Sequence, residues 1–188
     1  PGNVFIQNRH LEKMDFEFEI AIIIGKKGKN IEAKDSLDYI AGLTIMNDWS
    51  ARGLQFKEMK LNLGPAKGKD FATSIGPYLV TLDDLNHKII KKGKGFSFDL
   101  QMKGFVNDKL ISTDNMKNMF WTFSDIIERA SYGVELVPGD VIGSGTCATG
   151  CFLELNQTNK SNNWINNGDT VRLEVEELGS LVNKIVLQ

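Results

Sequence analysis

The stretch Phe16-Glu17-Phe18-Glu19-Ile20-Ala21-Ile22-Ile23-Ile24-Gly25 decides the reading of this chain. Its β-branched and aromatic content predicts a strand. In a strand, residues two apart share a face and stand roughly 6.5 to 7 Å apart. Glu17 and Glu19 therefore leave one side, while Phe16, Phe18, Ile20, Ile22 and Ile24 pack on the other. Two like charges so placed attract a cation, although for an isolated Glu-x-Glu a half-exposed strand with a polar face in water is the commoner explanation.

Working outward, 188 residues with 41% hydrophobic content suit one domain, 1–188, with a real core. The formal net charge of −2 gives no basic field for a phosphate backbone, so a nucleic-acid partner is not expected. No apolar run approaches the roughly 20 residues that span a bilayer, and no leader opens the sequence. A soluble, cytoplasmic protein is the expectation. The two cysteines, Cys147 and Cys151, read as buried thiols rather than a disulfide framework.

Frequent turn signals and scarce helical periodicity predict a mixed, β-rich α+β fold. Asp35 to Ala41 reads as a short helix and Leu43 to Asp48 as a strand ending in two polar side chains. Ser50 to Lys60 reads as a helix capped by Ser50 and weakened by Gly53, with Arg52 and Gln55 on one face. Phe96 to Met102 alternates like a strand, Asn107-Asp108 suggests a turn, and Thr122 to Ser131 reads as a helix stopped by Gly133. Turns at Pro138-Gly139-Asp140 and Asn167-Gly168-Asp169 precede strands at 141–143 and 170–175, with Leu181 to Leu187 as a closing strand. Asn86 to Lys94 reads as an exposed, lysine-rich loop.

Three further segments bear on chemistry. In Met46-Asn47-Asp48-Trp49-Ser50-Ala51-Arg52-Gly53-Leu54-Gln55, Asp48 would complete a three-carboxylate set for a hard divalent cation; alone it suits a helix start or turn. Trp49 reads as structural. The glycine-bearing loop Leu63 to Pro77 offers Lys67, which suits a solvated loop, and Lys69, better placed before Phe71 to hold an anion or developing oxyanion charge. Gly143 to Gly150 presents amides and hydroxyls that suit a carboxylate.

Taken in order, Glu-x-Glu-x-Ala, Asn-Asp-Trp-Ser-Ala-Arg, Gly-Pro-x-x-Gly-Lys-x-Phe and Gly-Asp-x-x-x-Ser-Gly-Thr resemble the fumarylacetoacetate hydrolase family over about residues 14–187. The resemblance implies a β-roll or barrel with short helices, assembled as a homodimer. It places Glu17, Glu19 and Asp48 on the family's metal ligands, with Mg²⁺ as the cofactor or Ca²⁺ or Mn²⁺ in its place. It places Arg52, Gln55, Lys69 and Thr146 on substrate-binding positions, with Lys69 also catalytic. The implied reaction is C–C bond hydrolysis in fumarylpyruvate- or fumarylacetoacetate-like 2-oxo or 1,3-diketo acids, through an enolate stabilised by the cation. Oxaloacetate decarboxylation and isomerisation of 2-hydroxyhepta-2,4-diene-1,7-dioate are the alternatives within the family. A non-catalytic, dimeric domain that binds metal and oxo acids is the alternative of another class.

Water activation in the family's hydrolases belongs to a His-Glu pair on an N-terminal lid, a segment expected upstream of Pro1. Neither histidine, His10 nor His87, matches that pair. Gly53 and Ala72 depart from the family's usual aspartate and glycine without touching a proposed ligand.

Overall fold

The computed structural model describes residues 2–62 and 64–188; Pro1 and Leu63, the first residue of the lysine-bearing loop as delimited above, lie outside it. Strands in chain order are β1 (Gly2–Ile6), β2 (Met14–Asp15), β3 (Phe18–Ile24), β4 (Gly28–Lys29), β5 (Ile40–Asp48), β6 (Ser50–Ala51), β7 (Thr73–Thr81) and β8 (Ile89–Lys92). They continue as β9 (Gly95–Phe98), β10 (Gln101–Val106), β11 (Lys109–Asn115), β12 (Glu135–Leu136), β13 (Val141–Gly143), β14 (Thr170–Val175) and β15 (Gly179–Leu187). The helices are α1 (Asn8–Leu11), α2 (Arg52–Met59), α3 (Leu82–Leu85), α4 (Phe123–Ala130) and α5 (Phe152–Asn159), with short 3₁₀ turns between strands.

The apolar run becomes β3, which starts at Phe18 and lies between β13 and β5 in the sheet ordered β13-β3-β5-β7. Ala21 is as fully buried as Ile20 and Ile22, so both faces of β3 beyond Glu19 are packed, and a half-wet strand is excluded. A second sheet, β1-β15-β14-β10-β11, covers it. Phe18 marks the join: a Cβ added at Gly104 of β10 would stand 3.4 Å from its Cδ1. Leu43 and Ile45 from one sheet and Leu173, Val175 and Ile185 from the other fill the core between them.

The expected barrel is not closed. Among the described residues, β13 and β7 edge one sheet, β1 and β11 edge the other, and no ladder joins them. Edge strand β7 carries Pro77, which has no N–H to extend the pairing. Other expectations are corrected locally. The short helix before β5 is a 3₁₀ turn, Ala33–Tyr39. The strand read across Phe96 to Met102 is split into β9 and β10. The lysine-rich stretch is not a loop: β8 pairs with β9, and the Lys92 ammonium donates to the carbonyls of Lys117 and Met119 at 2.6 and 2.5 Å.

The capped helix and the hairpin turn are found where the sequence places them. Thr122 accepts from the Asp125 amide at 3.2 Å while Asp125 accepts from the Thr122 amide at 2.8 Å, a capping box at the start of α4. Asn107 and Asp108 both take positive φ, +48° and +62°, in the two-residue turn joining β10 to β11. Cys147 and Cys151 are free thiols, Cys151 buried and Cys147 half-buried; burial pushes the Cys147 thiol up to about 12. No helix among the described residues is long and apolar enough to cross a membrane.

Candidate metal and oxo-acid site

Adjacent strands bring the three carboxylates together. Glu19 sits in β3 opposite Met46 of β5, Asp48 ends β5, and Glu17 precedes β3, its carbonyl accepting from the Asp48 amide at 3.1 Å. One ligand oxygen from each of Glu17, Glu19 and Asp48 lies within 4.8 Å of the others. Gly143 of β13 leaves room for them: a Cβ there would fall 2.5 Å from Glu19 Oε2.

Lys69 arrives from the segment between α2 and β7. Its Nζ donates to Glu17 Oε2 at 2.5 Å, Asp48 Oδ2 at 2.7 Å and Ser50 Oγ at 2.8 Å, using all three of its donors. Burial pushes the Glu17 carboxyl up, but the hydrogen bond from Lys69 and the charges of Arg52 and Lys69 outweigh it and hold Glu17 below the usual range. Among the described residues no lysine or arginine forms an ion pair with Glu19, and the charge of Lys69 acts on it only weakly. Burial first, then the charges of Glu17 and Asp48, push it up to about 7.

Arg52, the first residue of α2, is 2% exposed. Its guanidinium faces inward: Nε donates to Asp15 Oδ2 at 3.0 Å, and Nη1 donates to Glu17 Oε1 at 2.8 Å and Gln55 Oε1 at 2.9 Å. Burial opposes its charge, and Asp15 and then Glu17 restore it, holding its pKa above the ordinary value. In this arrangement Arg52, itself held by Gln55, stands behind Glu17 and fixes one of its oxygens, leaving the other toward Lys69. Gly53 is required beside them, because a Cβ would come 2.9 Å from the Glu12 carbonyl. Trp49 is fully buried, with Nε1 donating to Ser74 Oγ at 3.0 Å.

Thr146 lies in the loop after β13, next to Gly145, whose N–H donates to Glu19 Oε2 at 3.0 Å. That loop and Trp121 line a cavity of about 290 Å³. The histidines stand apart from the carboxylates in their contacts: the His10 ring stacks on Phe71 with centroids 4.4 Å apart, and His87 Nε2 faces Glu177 at 3.5 Å.

Two site residues were not singled out by the sequence reading. Asp15 extends the alternation by one step, since Asp15, Glu17 and Glu19 are each two apart, a signal that was available. Ser50 was read as a helix cap; it lies in β6 instead and accepts from Lys69, while Ala51 occupies the cap position.

The donor set suits a divalent cation on charge as well as chemistry. With Asp15, Glu17, Glu19 and Asp48 ionised against Arg52 and Lys69, four negative charges meet two positive ones, leaving the charge that one dication balances. All the offered ligand atoms are carboxylate oxygens, the preference of hard ions. Lys69 already places a cation between Glu17 and Asp48.

A β-rich α+β protein with a carboxylate cluster and an inward lysine at the end of its central strands is the class that fold and site define. The chain belongs to the fumarylacetoacetate hydrolase family, matching "Fumarylacetoacetate (FAA) hydrolase C-terminal" over residues 1–186. It is 35% identical to "Oxaloacetate tautomerase Fahd2a, mitochondrial" of Rattus norvegicus over 178 residues, covering 93% of this chain and 51% of that protein. It is also 35% identical to "Fumarylacetoacetase" of Arabidopsis thaliana, covering 77% of this chain and 41% of that one. The solved structure of a 2-hydroxyhepta-2,4-diene-1,7-dioate isomerase from Mycobacterium marinum matches with a TM-score of 0.77 at 28% identity, covering all of this chain and 64% of that one. The chain spans about half the length of the curated relatives it matches. These relatives are enzymes by name, and their reactions differ.

Proposed function

We propose that this chain carries the cation and oxo-acid site of a Mg²⁺-dependent enzyme acting on 2-oxo or 1,3-diketo acids, with C–C bond hydrolysis of an acylpyruvate-type substrate as the first reading. The observation that carries it is the convergence of Glu17, Glu19 and Asp48 with Lys69 among them. Glu17, Glu19 and Asp48 would hold the cation, which when bound supplies Lewis-acid stabilisation of negative charge on substrate oxygens. Lys69 adds a fixed positive charge beside them, where enolate charge develops. Arg52 keeps Glu17 ionised and oriented, and the Gly145-Thr146 segment offers a donor surface for a substrate carboxylate.

A second reading, enol–keto conversion or decarboxylation of oxaloacetate, is favoured by one observation. The 35% identity to "Oxaloacetate tautomerase Fahd2a, mitochondrial" supports it, and the carboxylates and Lys69 would serve the enolate of either reaction. Release of pyruvate and a second acid from an acylpyruvate, decay of enol absorbance with oxaloacetate unchanged in amount, and release of CO₂ with pyruvate from oxaloacetate separate the readings.

The site itself is tested by calorimetric titration of Mg²⁺ and then oxalate, a planar enolate mimic, into the protein and into a Glu17→Ala, Glu19→Ala variant. Oxalate binding that requires Mg²⁺ and vanishes in the variant is the expected result. Equal oxalate binding by both, or none by the parent protein, would sink the proposal. A homodimer belongs to the same proposal. It is supported by Phe120, Trp121 and Tyr132, exposed by 80%, 66% and 75%, which form the kind of apolar surface that proteins seldom leave to water. Light scattering that gives the mass of one chain would exclude it.

A further inference from the structure

Lys69 is reached by a long, flexible side chain, and its position depends on what fixes the backbone beneath it. Glu58, half-buried near the end of α2, accepts from three successive amides of that segment: Ala66 at 2.9 Å, Lys67 at 2.8 Å and Gly68 at 3.1 Å. The amides of Ala66 and Gly68 hold the Glu58 carboxyl below its usual range. The Gly68 carbonyl accepts from the Ala51 amide at 2.8 Å, and the amides of Lys69 and Asp70 both return to the Ala66 carbonyl, at 3.0 and 2.9 Å. The segment also lies flat on α2, since a Cβ at Gly68 would come 2.7 Å from the Gln55 nitrogen.

The two neighbouring lysines show the consequence. Lys67 turns outward to Asp70, its side chain 77% exposed, whereas Lys69 turns inward with 18% exposure. Glu58 forms no hydrogen bond or ion pair with Lys69 itself. It grips the three residues immediately before Lys69 and joins them to the helix that begins with Arg52, so both cations of the site are referenced to one rigid element.

We propose that Glu58 is the positioning residue of the site: its carboxylate clamps the 66–68 amides onto α2 and thereby sets where the Lys69 ammonium stands. Its effect on catalysis rests on the proposed role of Lys69, but the clamp is testable without substrate or metal.

The experiment is residue-resolved lysine acetylation of the metal-free protein, read by mass spectrometry, for the parent, Glu58→Ala and Glu58→Gln. Lys88 is the internal control, because its side chain is equally shielded, 19% exposed, and paired to Glu176 on another part of the molecule. In Glu58→Ala, labelling of Lys69 is expected to rise at least fivefold relative to Lys88. Glu58→Gln keeps the side-chain length and one carbonyl acceptor, so it should rise about twofold. Unchanged labelling at Lys69, or a uniform rise at every lysine from loosening of the whole protein, overturns the proposal. The same Glu58→Ala protein, titrated with Mg²⁺ and then oxalate, should hold Mg²⁺ within threefold of the parent while losing about tenfold in oxalate affinity. Absence of oxalate binding by the parent would count against the function proposed for the site and leave the labelling result to decide on the clamp.

Discussion

Asp15→Ala is expected to lower the stability of this protein by about 3–5 kcal/mol, the range for leaving one member of a buried ion pair without its partner. Asp15 is fully buried and makes no contact with solvent. Its Oδ1 accepts from the amides of Phe16 and Phe152 at 2.9 and 2.8 Å. Its Oδ2 accepts from the Leu153 amide and Arg52 Nε, both at 3.0 Å. The same carboxylate therefore supplies the cap at the start of α5, whose own cap residue, Cys151, makes no side-chain bond, and the counter-charge for Arg52. At roughly 2–4 °C per kcal/mol for a domain of this size, the thermal midpoint should fall by about 6–20 °C. An Asp15→Leu, Arg52→Met double variant, which removes both charges, should recover the part of the loss that comes from the unpaired Arg52, while the freed α5 amides keep the remainder lost. A drop of less than about 1 kcal/mol for Asp15→Ala would refute the account of this pair.

Glu19→Gln is expected to act in opposite directions with and without metal. In the metal-free protein the Glu19 pKa is raised from 4.5 to about 7, by burial and by the charges of Glu17 and Asp48. The folded state thus binds this proton more tightly than the unfolded chain, so stability is greatest below the unfolded pKa. It falls as pH rises from 4.5 toward 7 and is flat above that. A rise of that size is worth about 3 kcal/mol at 1.36 kcal/mol per pKa unit. Metal-free Glu19→Gln should therefore match the parent near pH 4 and exceed it by up to about 3 kcal/mol at pH 8. Added Mg²⁺ should stabilise the parent at pH 8 through mass action and stabilise the variant far less. Denaturant titrations at the two pH values check this, and a variant no more stable than the parent at pH 8 without metal would contradict it.

Local chemistry made part of the structure legible. The Phe16–Gly25 run can bury its side chains only as a central strand, the Thr122 and Asp125 spacing is a helix start, and Asn107-Asp108 tolerates the left-handed φ that a tight hairpin demands. The carboxylate pair was legible in the Glu-x-Glu alternation, although Glu17 lies just before β3 rather than in it, and its place beside Glu19 is fixed by its carbonyl accepting from the Asp48 amide. Segments whose stability is supplied from elsewhere were not. α5 takes its cap from Asp15, distant in sequence, so its own residues carry no start signal. β1 pairs in parallel with β15 at the other end of the chain. Ser50 looks like a cap because it precedes a helix, yet its hydroxyl is taken by Lys69 and by the Asp48 carbonyl.

The sequence by itself determined the family, through motif blocks in a fixed order, and the β-rich character, and it named Glu17, Glu19, Asp48 and Lys69, which the fold brings together. The tertiary structure decided how the charges divide their work: Arg52 is tied to Asp15 and Glu17, Lys69 lies between Glu17 and Asp48, and Glu19 is left without a cation of its own. That division depends on burial and on distances of a few ångströms between groups far apart in the chain, where Coulomb energies are set by the local dielectric.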